Sequence, residues 1–284
     1  METSAQLSRI ALVQMTSGID PDANLAAIDR ALADAAAGGT AMAFLPEMSL
    51  LLDRDRERSA AHIAREADSP WPAALQDMAR RHGLWLHSGS MPLLAETGDR
   101  RVNRSHVIAA DGTIRARYDK IHMFDVDLPT GERWSESASY AGGDALAVVE
   151  TPVGMLGLSV CYDLRFPELY RALVDRGATL LAVPAAFTVP TGKAHWHVLL
   201  RARAVETGCH VVAAAQCGPH ADGRATYGHS LVVDPWGAIA IDVGGHPEDS
   251  GFTLAFAEID AAAVQKARAA IPLARSRTIR NIEL

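Results

Sequence analysis

Apolar positions along the chain occur either in short unbroken runs or at helical spacing, and their alternation predicts an α/β protein. Arg9–Met15 (RIALVQM) reads as a buried strand. Pro21-Asp22 then opens a helix whose apolar stripe is Leu25, Ile28, Leu32 and Ala36, closed by Gly38-Gly39. Ala41–Leu45 is a second buried strand, ending at Pro46-Glu47. Residues 53–68 are rich in Arg and Asp and are expected on the surface. Trp71–His82 has helical spacing with Gly83 as its stop, and Leu84–Ser90 returns as a strand. Val102–Ala110 and Thr113–Tyr118 flank Asp111-Gly112 as a hairpin.

Lys120–Gly143 breaks the rhythm: it mixes aromatics, acids, Pro and Gly without a period. Long structureless loops in compact domains are commonly functional. Ala145–Glu150, a TPVG turn and Met155–Val160 form another expected hairpin, which closes on Cys161. The chain continues as helix Pro167–Asp175, strand Thr179–Pro184, helix Lys193–Thr207 and strand His210–Gln216. Two strands around Asp234-Pro235-Trp236-Gly237, a strand near Phe252–Ile259 and a last short helix complete the pattern. With no linker and no repeat, residues 1–284 read as one domain.

Composition narrows the class. An apolar fraction of 49 % and a charged fraction of 21 % are ordinary for a globular chain. The net charge of −7, from 27 basic and 34 acidic residues, argues against a nucleic-acid surface. No apolar run is long enough to span a membrane, and METSAQLSRIALVQM, with its acidic second residue, is unlike a signal peptide. The three cysteines, Cys161, Cys209 and Cys217, form no CxxC and no even-numbered framework, which suits reduced thiols and a cytoplasmic location.

The chemistry is expected at strand ends. Cys161 sits where the apolar GLSV meets the polar turn YDLRFPE, a position suited to a nucleophile beside free backbone N–H groups. A buried structural thiol is the competing reading, and for Cys209 and Cys217 it is the favoured one. Glu47 follows FLP and Lys120 follows the hairpin in YDK. Their plain alternatives are a first-turn helix carboxylate and a solvated loop cation. Three strand ends of one α/β sheet converge in space, however, so together they suggest a site. No GxSxG, GxxxxGK[ST] or GxGxxG is present, which removes the corresponding serine hydrolases and nucleotide binders. His195-Trp196-His197 resembles a metal pair, but in a helix i and i+2 face apart. His229 in YGHS is expected to be a buried hydrogen-bonding group.

FLPE at Glu47, YDKIHMFDVD at Lys120 and GLSVCYDLRFPELYRAL at Cys161 resemble the three blocks of the nitrilase (carbon–nitrogen hydrolase) superfamily, in its order and over nearly the whole chain. The resemblance implies a four-layer αββα sandwich and a catalytic triad of Glu47, Lys120 and Cys161. It also implies an assisting glutamate in the loop, placed by SESxxY at Glu136, with Glu132 the weaker candidate. AHWHVLLRARAVETGCHVVAAAQCG and RATYGHSLVVDPWG are similar to the Nit branch, closest to its deaminated glutathione amidases and next to its ω-amidases. The carboxyl-terminal IPLARSRTIRNIEL departs, keeping only part of the expected basic tail.

The same resemblance implies an amidase acting through a thioester, with no metal or organic cofactor. Its substrate would be a small carboxylate-bearing amide, the alternatives being a carbamoyl compound or a nitrile. A thiol sensor or scaffold on the same fold is the non-enzymatic reading. The Tyr162 N–H would face the oxyanion, Arg165 would hold the substrate carboxylate, and Tyr162 and Phe187 would wall the pocket. Alternatively Arg165 pairs with Asp163 or Glu168. A homodimer or higher homo-oligomer is also implied, packed through the helix bearing Leu169, Leu173 and Val174.

Overall fold

The computed structural model describes residues 7–128, 131–246, 248 and 251–273. Two sheets form its centre. In the first, Phe252–Asp260 pairs antiparallel with Leu7–Met15, which continues in parallel through Met42–Phe44 to Trp85–His87. Arg101–Ile108 extends this sheet antiparallel and carries Met91–Leu94 and Ile114–Asp119. In the second sheet Gly154–Leu158, Leu180–Ala182 and His210–Ala213 are parallel. Val148–Thr151 flanks them on one side, and Leu231–Val233 with Ile239–Asp242 on the other.

The alternation of side chains decides how the layers stack. Along Leu7–Met15 every residue from Ile10 onward is buried, so the sequence shows an unbroken run. Ile10 and Leu12 face the second sheet, meeting Leu156, Leu158 and Val212 in a common core. Ala11, Val13 and Met15 face outward, onto Ile28 and Leu32 of helix Pro21–Ala37 and Trp71, Leu75 and Met78 of helix Pro70–His82. Helices Pro167–Asp175 and Val189–Thr207 cover the other sheet through Leu169, Leu173, Trp196 and Leu200. The result is a four-layer αββα sandwich.

Four sequence expectations change. The strand ends carrying Glu47, Lys120 and Cys161 belong to two facing sheets, not one. The Lys120–Gly143 segment is not structureless: Asp125–Asp127 and Arg133–Ser135 form a small hairpin, followed by a 3₁₀ turn at Glu136–Ala138. Its short strands, exposed on alternate residues, leave too little apolar pattern to read. The long helix begins at Val189 rather than Lys193. Pro190 fits a first turn, where no N–H is needed, and Gly192 lies against Tyr227 so closely that a Cβ would stand 2.2 Å from its ring. Finally, Leu169 and Leu173 of helix Pro167–Asp175 point into the protein's own core at 4 % and 0 % exposure. Those two side chains are not free for a second copy, whereas Val174 of the same helix is half-buried beside Val205 and Trp236. The residues from 274 onward, which include most of the divergent tail, lie outside the described residues.

Candidate active site

Glu47 lies just past strand Met42–Phe44, almost fully buried, and both oxygens of its carboxylate are engaged. Oε1 accepts from Asn103 Nδ2 at 2.9 Å and from Lys120 Nζ at 3.1 Å, while Oε2 accepts from the Ala186 N–H at 2.9 Å. Lys120 follows strand Ile114–Asp119 and donates to both oxygens of Glu136, at 2.9 and 2.8 Å. Glu136 in turn accepts from the Phe124 N–H at 2.6 Å. Burial alone would push the Lys120 ammonium down, but the Glu136 and Glu47 carboxylates hold it well above the ordinary lysine value. The ammonium is held between the two carboxylates.

Cys161 opens a 3₁₀ turn, Cys161–Arg165, after strand Gly154–Leu158. Its φ of +50° is a left-handed conformation that a non-glycine residue adopts only when held there. The holding contacts are visible. The Cys161 N–H donates to Pro184 O at 2.9 Å, and the Val160 N–H donates to Asp163 Oδ2 at 2.9 Å. Asp163, fully buried, also accepts from the Tyr118 hydroxyl at 2.7 Å and from the His122 N–H at 3.0 Å. His122 stacks on Phe166 with ring centroids 3.6 Å apart. The turn is thereby tied to the sheet that carries Glu47 and Lys120. Burial pushes the Cys161 thiol well above its ordinary value and the Glu47 charge adds to this, while Lys120 pulls the other way. The balance favours the neutral thiol, which has the Glu47 carboxylate as a hydrogen-bond neighbour.

Glu47, Lys120, Glu136 and Cys161 line one cavity of about 820 Å³, together with Tyr162, Arg165 and Phe187. The Arg165 guanidinium lies over Tyr162 and Phe187, 5.7 and 5.5 Å from their ring centroids. Its hydrogen-bond partner is His195, at 3.2 Å, and not Asp163 or Glu168. Asp163 is occupied in bracing the turn. Glu132 also lines the cavity but is exposed, and Lys120 bonds Glu136 instead. Cys209 and Cys217 are buried outside the cavity, and burial pushes the Cys217 thiol up to about 11. His195 and His197 turn to different partners, Arg165 and Asp242. His229 departs from expectation: it is a quarter exposed and bonds Asp242 at 2.9 Å. The loop Tyr227–Ser230 brings it to the surface edge of the second sheet.

Sequence reading missed Asn103, the Ala186 amide and the bracing role of Asp163. The one signal was a polar Asn inside the strand RVNRSHVI, where an unpaired amide would be costly.

The carbon-nitrogen hydrolase family model matches residues 9–269. The chain belongs to that family. It is 43 % identical over 243 residues to the deaminated glutathione amidase of Yersinia enterocolitica, covering 85 % of this chain and 83 % of that protein. The C. elegans NitFhit structure aligns with a TM-score of 0.85 at 38 % identity. That alignment covers 97 % of this chain and 66 % of NitFhit, so the chain spans just under two thirds of that relative. An amidase from Nesterenkonia sp. AN1, solved after Michael addition of acrylamide at its active site cysteine, aligns with a TM-score of 0.76 at 30 % identity. Coverage there is 93 % of this chain and 98 % of the amidase. No helix among the described residues is long and apolar enough to cross a membrane.

Proposed function

We propose that this carbon–nitrogen hydrolase is a cysteine-dependent amidase whose substrate is a small amide bearing a remote carboxylate, of the deaminated glutathione or ω-keto-acid amide kind. The observation that carries the reading is one cavity lined by a thiol, a buried carboxylate and a buried ammonium, with Arg165 beside them.

In this mechanism Glu47 takes the thiol proton as Cys161 sulfur bonds to the amide carbon. Negative charge moves to the carbonyl oxygen, where the Lys120 ammonium and the Tyr162 N–H face it. Glu47 returns the proton to the amide nitrogen, the C–N bond breaks, and ammonia leaves a thioester on Cys161. Water then loses a proton to Glu47 and attacks the thioester, and the proton returns to sulfur as the acid departs. Glu136 keeps Lys120 aimed throughout. Arg165, spread over Tyr162 and Phe187 and steadied by His195, holds the substrate carboxylate, and that binding energy is used at the reacting carbon.

Ammonia release should disappear in Cys161→Ala, while a substrate pulse on the wild-type protein should leave an acyl adduct on Cys161 by mass spectrometry. An ω-keto-acid amide should exceed its methyl ester in kcat/KM by orders of magnitude. Equal values would remove the carboxylate reading, and faster hydrolysis of a simple nitrile would remove the amidase itself.

The same reading includes a cytoplasmic location, on the strength of the three free cysteines. It also includes a homo-oligomer, with the interface moved from the helix face bearing Leu169 and Leu173. Val198, Val205 and Trp236 are among the exposed apolar side chains, and a second copy would cover them. Light scattering at the mass of one chain would reject it.

A further inference from the structure

Outside the cavity, three side chains from three separate elements converge on one point: His197 from helix Val189–Thr207, His229 from the turn before strand Leu231–Val233, and Asp242 at the end of strand Ile239–Asp242. His197 Nε2 is 3.0 Å from Asp242 Oδ2, and His229 Nδ1 is 2.9 Å from Asp242 Oδ1. The three ligand atoms lie within 4.8 Å of one another. None of these residues lines the catalytic cavity. The geometry points to a second site on this protein, one that binds a divalent transition-metal ion of the Zn²⁺ and Ni²⁺ class through His197, His229 and Asp242.

The donor set decides the class. Two imidazoles and one carboxylate suit borderline ions, whereas Ca²⁺ and Mg²⁺ want oxygen alone. Distance agrees at the carboxylate: Asp242 Oδ2 stands 3.0 Å from His197 Nε2 and 3.2 Å from His229 Nδ1, and two ligand atoms each about 2.1 Å from one ion stand roughly 3.0–3.4 Å apart. The ligands are also held in place. The Gly244 N–H donates to Asp242 Oδ1 at 2.9 Å, the kind of outer contact that orients a metal-binding carboxylate. His229 is kept at φ +56° by its own N–H on Gly244 O and by Trp196 Nε1 donating to its carbonyl at 2.7 Å. Its ring stacks on Tyr227, with centroids 4.4 Å apart. Each ligand is a quarter to a third exposed, so water can fill the remaining positions around the ion. For binding, each neutral imidazole carries its proton on the ring nitrogen away from Asp242, so the near nitrogen offers its lone pair. An ion here would pin the helix that carries His195, and with it Arg165, to the second sheet.

The test is calorimetric titration of Ni²⁺, and separately Zn²⁺, into untagged protein at neutral pH. Wild type should bind one equivalent at this site, and Ni²⁺ should raise its Tm. His197→Gln, Asp242→Asn and His229→Asn should each weaken binding by about tenfold or more and abolish the Tm shift. Asn tolerates the left-handed backbone at 229, and circular dichroism checks that each variant is folded. Cys161→Ala should keep the site. Unchanged affinity in the His197→Gln and Asp242→Asn variants, no stoichiometric binding to wild type, or loss of binding in Cys161→Ala would each overturn the proposal.

Discussion

Strand Arg101–Ile108 separates two clusters of charge, one on each face, and the two are built differently. On the inner face Asn103 reaches Glu47, in a group of one ammonium, two carboxylates and a thiol that borders the cavity. On the outer face Arg104 donates to Asp119 at 2.7 and 2.9 Å, to Glu66 at 2.8 Å and to Glu96 at 3.1 Å. Glu66 also receives Arg117 at 2.7 Å and stands 3.1 Å from His106 Nε2. The hydrogen bond with His106, then those with Arg104 and Arg117, hold its carboxyl well below the usual range despite burial. In the outer cluster three carboxylates, Glu66, Asp119 and Glu96, bond two guanidiniums, and Glu96 and Arg117 reach solvent at its rim. In the inner cluster two carboxylates share one ammonium, and the surplus negative charge lies next to a thiol. Each group has one more carboxylate than Lys or Arg side chains, and the inner one differs in lying enclosed beside a thiol and a cavity.

Removing Lys120 from one and Arg104 from the other should separate catalysis from stability. Lys120→Ala should lower kcat by about a hundredfold or more, since it takes away charge aimed at the oxyanion. Glu47→Gln should do the same by removing the base. Arg104→Met should instead cost about 1–3 kcal/mol of stability, because Asp119 would lose its guanidinium while Glu66 keeps Arg117 and His106. Its folded fraction should turn over at the wild-type rate. A catalytic collapse in Arg104→Met without a fall in Tm would dissolve the distinction.

Next in size is the loop glutamate. Glu136→Gln should reduce kcat less than Lys120→Ala does, and Glu132→Gln should leave it near wild type, because of these two loop glutamates it is Glu136 that bonds the ammonium. Steady-state rates in which Glu132→Gln is the damaged variant would reverse that assignment.

A smaller effect concerns the thiol. Because burial and then the Glu47 charge raise Cys161, iodoacetamide alkylation should keep accelerating with pH above the ordinary thiol range. In Glu47→Gln the profile should move to lower pH, since one cause of the elevation is gone. A profile that stays in place would show that Glu47 does not act on the sulfur.

The smallest expected signal is the acid limb of stability. His87, hydrogen-bonded to Ser105 on the inner face, is pushed down to about 3 by burial and then by His106. Its folded value lies below the unfolded 6.5, so the unfolded chain binds the extra proton as pH falls. Stability from this group is therefore complete above pH 6.5 and declines between there and about 3. The urea midpoint should begin to fall below pH 6.5, ahead of the ordinary carboxylate range. A flat midpoint down to about pH 5 would mean that His87 is not held neutral.

Much of this could be read from the chain alone. The strand–helix alternation, the stops at Gly38 and Gly83 and the three blocks around Glu47, Lys120 and Cys161 are local features, written in neighbouring residues. Apolar runs declare burial and strand-end polar residues declare a site, because both follow from short-range periodicity and from the cost of burying charge. Only the tertiary structure decided the partners. RIALVQM is apolar almost throughout, so nothing in it says that Ile10 and Leu12 meet another sheet while Ala11 and Val13 meet helices. Leu169 and Leu173 are equally suited to a protein's own core or to a second copy, and packing chose the core. Arg165 has acids nearby in sequence yet bonds His195, thirty residues away, because the turn at Cys161 aims it across to the next helix. His197, His229 and Asp242 meet for the same reason: backbone pairing and side-chain packing join distant segments, and local sequence carries no distance across a sheet.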